Sequence, residues 1–579
     1  MLLSKLVEYH FSYIFKANEA IAEDWSLTMK PQQFIVLALL TVFSCNVSGD
    51  YYTSVISLFD LLELEMKAIT YLEAYMEKME AISRQVNETL NELEQVSQEA
   101  EDDFYEHYSN PLNAYKIIRR FVIDWQNLNK TVLAEQPAQE YIANITALEK
   151  KDGFKLPTDE DLLGASKGLA RLQRTYQQET IDVAAGDLME MNLSSNFTAS
   201  ECFWLGRNLY SAGELKYAAE WLIQARIRLA EEMQESYEPQ EFIGQISDVQ
   251  ILEQLSITMF YLGKSKLALL FNEELLAQDP NNVHGLRNRS IYSNKALEER
   301  YAISNEDESK KYLRRTELDV LFDKTCNGEL QQTPREKRRL RCRYVHNNVP
   351  FRFIAPFKKE ELNLDPSIAY YHESIFEKEI ERILNATEDY VERSMVGDLE
   401  NSTYSDVRTS QNTWLDFKVH PFLNNIAQRL RDATGLSLES GEHLQVANYG
   451  IGGHYGAHYD FSEMLETDEY GGQGNRIATA LFYINDVELG GATAFPYLRL
   501  TAPPVRGSMI VWYNLHKSLE LDYRTKHGGC PVMVGSKWIC NEWFHATGQE
   551  FLRPCGKKKD GHKSIQWKDL YRNEELSIA

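Results

Sequence analysis

In the segment HYGAHYDF, His454 to Phe461, two side chains stand where they could share a metal ion: His458 and Asp460. In a strand, residues i and i+2 point to the same face, so these two project together while Tyr459 points away. They form two legs of a 2-His-1-carboxylate triad, a ligand set that holds Fe(II) and leaves coordination positions open. The third leg must come from another strand, and His527 in KHGGCPVMVGSKW is the candidate. Ten residues beyond it stands Lys537, in a run that otherwise reads as core strand. A lysine aimed into a core is costly unless it meets an anion, and a dicarboxylate co-substrate beside the metal would be one. His454 has the same strand parity as His458, so parity alone leaves it open as a ligand.

Such a site needs strands to carry it. After about Arg352, short β-rich runs such as IATALFYI, SMIVWY and KWICNEWF are separated by Gly, Pro and Asn-Asp turn signals, the pattern of an antiparallel sandwich or jelly roll. The chain before it reads as helical. From about Tyr51 to Glu101 there is neither Pro nor Gly, and apolar residues recur at heptad spacing. Leu62, Ile69, Met76 and Leu90 hold one position, and Leu72, Met79, Val86 and Leu93 the other, a seam for helix pairing. Thr158 and Asp161 have capping-box spacing before a further helix. Two helical hairpins then carry the small and apolar slots of tetratricopeptide repeats. The first has Leu205, Gly206, Gly213, Ala218, Leu222 and Ala225; the second has Gly263, Ala268, Leu275 and Pro280.

The fold class is therefore multidomain α plus β. The expected parts are a leader (1–49), an N-terminal helical, coiled-coil dimerisation region (50–195) and a short TPR-type peptide-binding domain (196–300). A charged linker (301–350), a jelly-roll catalytic domain (351–555) and a polar tail (556–579) follow.

With 579 residues the chain exceeds one hydrophobic core, and its net charge of −25 argues against a nucleic-acid partner. The apolar run FIVLALLTVFSC is too short for a membrane span but suits a signal peptide starting at Met29 and cleaved near Gly49. Sequons at Asn87, Asn129, Asn144, Asn192, Asn196, Asn288, Asn385 and Asn401 fit secretion. Spacing suggests disulfides Cys326–Cys342 and Cys530–Cys555, with Cys202 and Cys540 as buried thiols. The chain ends EELSIA, without an ER-retention tetrapeptide.

Together LQVANYGIGGHY, HYDF, GNRIATALFYINDVELGGATAFP, WYNL, HGGCPVMVGSKW and GQEFLRPC resemble the α subunits of collagen prolyl 4-hydroxylases. CRYVHNN, the repeats and LGASKGLARLQRTY extend the resemblance over essentially the whole mature chain. The resemblance implies a double-stranded β-helix catalytic domain using Fe(II), 2-oxoglutarate and O2, with L-ascorbate as the reductant that rescues oxidised iron. It makes His458, Asp460 and His527 the iron ligands and demotes His454 to a neighbour. It implies that Lys537 pairs with the distal carboxylate of 2-oxoglutarate, with Tyr449, Thr479 and Tyr483 around the co-substrate. It further implies an endoplasmic-reticulum protein acting on collagen-like or Pro-rich chains. The assembly implied is an α2β2 tetramer with protein disulfide isomerase as β subunit, whose retention signal would hold both.

The chain departs from that family where Gly456-Ala457 replace the usual Glu-Pro, and where Ile257 and Ile291 stand at positions expected to carry groove tyrosines. Trp204, Tyr210, Phe260, Tyr261 and Tyr292 remain as aromatics there. Two alternatives stay open: a 2-oxoglutarate oxygenase for another secreted target or for lysine, and a catalytically silent collagen-binding subunit.

Overall fold

The structure is a computed structural model. It describes residues 51–101, 137–151, 157–189, 191–192, 196–235, 246–301, 315–396, 403–450, 452–463 and 472–556. The chain divides into Met1–Gly49 and Asp50–Ala579, and all described residues belong to the second unit. The expected leader, the sequons Asn129 and Asn401 and nearly all of the expected tail lie outside them. No helix among the described residues is long and apolar enough to cross a membrane.

The uninterrupted heptad segment forms one 47-residue helix, α1 (Val55–Glu101). A shorter helix, α2 (Pro137–Lys151), lies along it, with Tyr75 against Tyr141. Most of the heptad stripe nevertheless faces outward, and Leu62, Ile69, Leu72, Met76, Met79 and Leu90 are all exposed. Next, α3 (Asp159–Thr175) starts where the capping-box spacing placed it: Asp161 Oδ2 accepts from the Thr158 N–H at 2.9 Å. After the five-residue α4 (Thr180–Ala184) and the ribbon of β1 (Asp187–Leu188) with β2 (Met191–Asn192), helices pack in antiparallel pairs. They are α5 (Ala199–Ser211), α6 (Leu215–Glu235), α7 (Asp248–Tyr261), α8 (Ser265–Gln278) and α9 (Val283–Tyr301). Ala218, Leu222, Ala225, Ala268 and Leu275 are fully buried between them. A Cβ on Gly206 would fall 2.8 Å from Leu222 Cγ, which is why only glycine lets α5 and α6 close. Tyr292 belongs to this core, whereas Trp204, Tyr261 and Ile291 are exposed.

The C-terminal half is built on two antiparallel sheets. The major sheet has nine strands in the order β3-β4-β5-β14-β10-β17-β8-β7-β6, and the minor sheet four, β13-β12-β15-β9. The strands are β3 (Cys342–Val345), β4 (Phe357–Leu364), β5 (Ser367–His372), β6 (Glu392–Arg393), β7 (Gln411–Leu415) and β8 (Leu444–Tyr449). They continue with β9 (Tyr455–His458), β10 (Arg476–Tyr483), β11 (Leu489–Gly490), β12 (Thr493–Phe495) and β13 (Leu500–Ala502). Last come β14 (Met509–Tyr513), β15 (His527–Gly529), β16 (Val532–Val534) and β17 (Lys537–His545), with β11 and β16 forming a separate pair. Strand alternation sorts the side chains into two layers. Ala447, Tyr449, Leu481, Tyr483 and Ile539 point between the sheets, while Val446, Ala480, Phe482, Cys540 and Phe544 point to the opposite face. That second face is covered by α11 (Glu377–Thr387) and α12 (Asn424–Thr434), which contribute Ile380, Ile383, Ile426 and Leu430.

Two expectations, the linker 301–350 and the cysteine pairing, need correction. The region 301–350 is no mere linker: Cys342–Val345 is the edge strand of the major sheet, and α10 (Glu317–Cys326) packs on β9, β12 and β13. The expected pairs Cys326–Cys342 and Cys530–Cys555 are not formed; the disulfide joins Cys326 to Cys530. Phe322 on α10 seats against Gly528, where a Cβ would fall 2.8 Å from its ring, and this brings Cys326 over the end of β15. Cys342 leaves along the sheet edge and Cys555 lies past the last strand, both exposed as free thiols. Cys202 and Cys540 are buried thiols, as expected.

Candidate metal and co-substrate site

Residue 458 on β9 is the register partner of residue 527 on β15, so the pairing of two neighbouring strands sets one imidazole beside the other. The rings lie 4.5 Å apart. Asp460, just past β9, closes the triangle: its Oδ1 is 3.6 Å from His458 Nε2 and its Oδ2 3.5 Å from His527 Nε2. One donor atom from each residue lies within 4.8 Å of the others, the only such group of three or more among the described residues.

Each histidine is aimed by its other nitrogen. His458 Nδ1 meets the Gly456 carbonyl at 2.9 Å, and His527 Nδ1 meets the Thr525 carbonyl at 3.0 Å. A carbonyl can only accept, so both Nδ1 atoms carry the proton and both Nε2 lone pairs face the triangle, the tautomer a metal requires. Burial lowers the His527 pKa to about 4, against the attraction of Asp460, so the ring is neutral. Burial pushes the Asp460 carboxyl upward, but His527 and His458 outweigh it and hold the group below the usual carboxylate range. Two imidazoles and one carboxylate gathered in this way fit a divalent first-row metal such as Fe(II).

The rings are also wedged. Tyr455 stacks on His458 with centroids 3.7 Å apart, and the Arg408 guanidinium covers its ring at 4.8 Å. Trp512 meets His527 edge-on at 4.7 Å.

Lys537 opens β17 opposite Tyr449 on β8, and its side chain enters the space between the sheets. It is 2% exposed and, among the described residues, forms no ion pair. Its ammonium lies 5.5 Å from the Tyr449 ring and 5.9 Å from the Tyr483 ring. Burial alone lowers its pKa to about 7. A cation held in this way calls for an anion, and a dicarboxylate reaching from the triad would supply it.

The other expected residues divide. Tyr483 lies beside Lys537, its hydroxyl donating to Thr493 Oγ1 at 2.8 Å. Tyr449 flanks Lys537, and its hydroxyl is met by Arg408 and Ser410. Thr479 has its hydroxyl engaged on both sides: it donates to Asp460 Oδ2 at 2.6 Å and accepts from Asn514 Nδ2 at 2.9 Å. His454 stands outside the triangle, with Nδ1 on Thr409 Oγ1 at 2.7 Å and Arg171 nearby. Gly456 keeps β9 close to its neighbour: its N–H donates to Val407 O at 2.8 Å, and a Cβ would fall 3.1 Å from Val407.

Sequence reasoning missed Asn514, the third residue of WYNL, which donates to Thr479. It also missed a charged group beside the triad, where Arg476 donates through Nη2 to Glu442 at 2.8 Å and through Nη1 to the Asp460 carbonyl at 3.4 Å. His545 Nε2 meets the same Glu442 carboxylate at 2.9 Å. The available signal was an Arg and a His at the open ends of two adjacent apolar strands, β10 and β17.

The chain is similar to known proteins over most of its length. Residues 54–190 match the family described as "Prolyl 4-Hydroxylase alpha-subunit, N-terminal region", and residues 444–545 match the 2OG-Fe(II) oxygenase superfamily. Prolyl 4-hydroxylase subunit alpha-2 of Gallus gallus is 33% identical over 546 residues, covering 91% of this chain and 99% of the relative. Prolyl 4-hydroxylase subunit alpha-1 of Homo sapiens is 34% identical over 525 residues, covering 87% and 95%. A solved viral collagen prolyl hydroxylase from Paramecium Bursaria Chlorella virus-1, as its 2OG complex, aligns at 26% identity over 31% of this chain and 96% of that one. Its TM-score of 0.25 is too low to bear on the fold.

Proposed function

Because this chain belongs to the prolyl 4-hydroxylase alpha-subunit family, we propose that it is a catalytic α subunit that converts peptidyl proline to 4-hydroxyproline in collagen-like chains. The reaction consumes 2-oxoglutarate and O2 and releases succinate and CO2. The observation that carries this reading is the convergence of His458, Asp460 and His527 beside one unpaired, buried ammonium, Lys537. A silent subunit would have no need to keep that cation buried.

His458, Asp460 and His527 would hold Fe(II), which, when bound with 2-oxoglutarate, supplies the oxidising power for insertion of one oxygen atom into the proline C4–H bond. Lys537 would pair with the far carboxylate of 2-oxoglutarate and so fix its length and direction across the cavity. Tyr449 and Tyr483 wall that cavity with aromatic faces, and Trp512 and Tyr455 wedge the imidazoles, so the reacting groups keep one geometry and little water enters. Thr479 keeps Asp460 Oδ2 supplied with a donor while the carboxylate ligates. Ascorbate, implied by the family resemblance, would keep the metal reduced.

The helical parts supply the substrate and the assembly in this reading. The TPR-type pairs α5–α9 would hold a Pro-rich segment against the exposed aromatics Trp204 and Tyr261, the latter 6.1 Å from Tyr210. The exposed heptad stripe on α1 would pair with a second copy, and a protein disulfide isomerase β subunit would complete the tetramer and retain it in the endoplasmic reticulum lumen. A second reading, another secreted proline-containing target, is favoured by Ile291, exposed where an aromatic was expected.

Succinate release with (Pro-Pro-Gly)-type peptides, run beside His458→Ala, tests the proposal. Triad-dependent turnover that yields hydroxyproline supports it. Triad-dependent turnover without hydroxyproline would sink the substrate, and absence of turnover on any peptide would favour the silent subunit.

A further inference from the structure

The first described turn of the chain, Tyr51–Thr53, belongs in sequence to the helical region, yet it is buried against the oxygenase sheet. Thr53 and Ser54 are 0% and 1% exposed. One side of the turn is fastened to α3: the Tyr51 N–H donates to Asp161 Oδ1 at 3.1 Å, using the carboxylate that also caps that helix. Tyr52 lies on Gly164, where a Cβ would fall 2.4 Å from its ring, so no larger residue fits beneath it. The other side is fastened to the end of β8. The Gly450 N–H donates to the Thr53 carbonyl at 3.2 Å, and Ser54 Oγ donates to Asn448 Oδ1 at 2.7 Å.

From there the hydrogen bonds lead to Lys537. Asn448, 0% exposed, donates through Nδ2 to Ser536 Oγ at 2.8 Å. The Ser536 carbonyl accepts from Asn485 Nδ2 at 2.6 Å, and Asn485 Oδ1 accepts from the Trp538 N–H at 2.7 Å. Both neighbours of Lys537 are thus held, one of them through a line that starts at residue 54. A lysine side chain with no ion pair takes its direction from its backbone and its walls, because nothing grips its far end until an anion arrives.

We infer that the Tyr51–Ser54 turn positions Lys537, through Asn448 and Ser536, for the distal carboxylate of 2-oxoglutarate. The inference rests on the reading of Lys537 as that carboxylate's anchor. Ser54, Asn448 and Ser536 are positioning residues and touch no substrate. The helical region then has a part in co-substrate affinity as well as in peptide binding and assembly.

The test uses the full chain in its native assembly, with Mn(II) replacing iron so that binding is read without turnover. Affinities are measured by calorimetry for 2-oxoglutarate, for pyridine-2,4-dicarboxylate, which has a distal carboxylate, and for pyridine-2-carboxylate, which lacks one. Ser54→Ala and Ser536→Ala should each weaken the two dicarboxylates about tenfold and leave the monocarboxylate within about twofold. The double variant should be no worse than the worse single, because one line of contacts is broken twice. Ser536→Ala leaves the turn and the 3.2 Å bond from the Ile56 N–H to Ser54 Oγ intact, so the test survives a misfolded Ser54→Ala. Equal weakening of all three acids, additive singles, or unchanged affinities overturn the inference alone. A Lys537→Ala variant that keeps its preference for the dicarboxylates overturns the reading of Lys537 as well.

Discussion

Thr479 donates its hydroxyl to Asp460 Oδ2 at 2.6 Å, the oxygen that also lies 3.5 Å from His527 Nε2. One carboxylate oxygen is thereby shared between a strand of the major sheet and the ligand set carried by the minor sheet. Outer contacts of this kind orient a ligand before the metal arrives, and losing one typically costs about 10–100-fold in metal affinity or activity. Thr479→Val keeps the shape and removes the donor. It is expected to raise the apparent KM for Fe(II) by about tenfold, with a smaller change in peptide KM. A metal titration followed by succinate release checks it, and an unchanged iron requirement would show that Thr479 acts only as packing.

Read as the anchor of the distal carboxylate, Lys537 should make co-substrate binding pH-dependent. With its pKa lowered to about 7 by burial, the free protein loses the charge as pH rises through that value. An anion binds only the charged form and restores the pKa, so binding above pH 7 must take up a proton. Affinity for 2-oxoglutarate is therefore expected to fall with rising pH, by up to about tenfold per unit. The dissociation constant measured with Mn(II) from pH 6 to pH 9 checks this, and Lys537→Ala should flatten the curve. A wild-type affinity independent of pH would contradict the assignment.

The disulfide prediction is chemical. Unreduced protein treated with a thiol-alkylating reagent should be labelled at Cys342 and Cys555, stay unlabelled at Cys202 and Cys540 until unfolded, and yield a linked Cys326–Cys530 peptide by mass spectrometry. Cys530→Ala removes the tie between α10 and the minor sheet and should cost about 2–5 kcal/mol of stability. A linked Cys326–Cys342 peptide would refute the pairing.

In the helical pairs, Leu222 is fully buried where α5 and α6 close over Gly206. Leu222→Ala leaves a cavity there and should cost about 2–5 kcal/mol. Denaturation should report that loss while the dissociation constant for Mn(II) stays unchanged, since the triad lies in another core. A parallel loss of metal affinity would mean that the two cores unfold together.

What the sequence determined by itself was whatever depends on short-range geometry. Strand parity put His458 and Asp460 on one face, the unbroken heptad pattern from about Tyr51 to Glu101 called for a long helix, observed at Val55–Glu101, and Thr158 with Asp161 marked a helix start. The oddity of a lysine in an apolar strand was enough to single out Lys537. Only the tertiary structure decided which partners those residues meet. Cysteine spacing suggested local pairs, but the seating of Phe322 under β15 brought Cys326 to Cys530 across 204 residues. Parity placed Thr479 and Tyr483 on the same face, yet the approach of the minor sheet brought one hydroxyl to Asp460 Oδ2 and the other to Thr493 Oγ1. The contact of Ser54 with Asn448 has no local signature at all. Side-chain direction is written along the chain with a period of two or 3.6 residues, whereas the choice of neighbour is made by how separate elements pack.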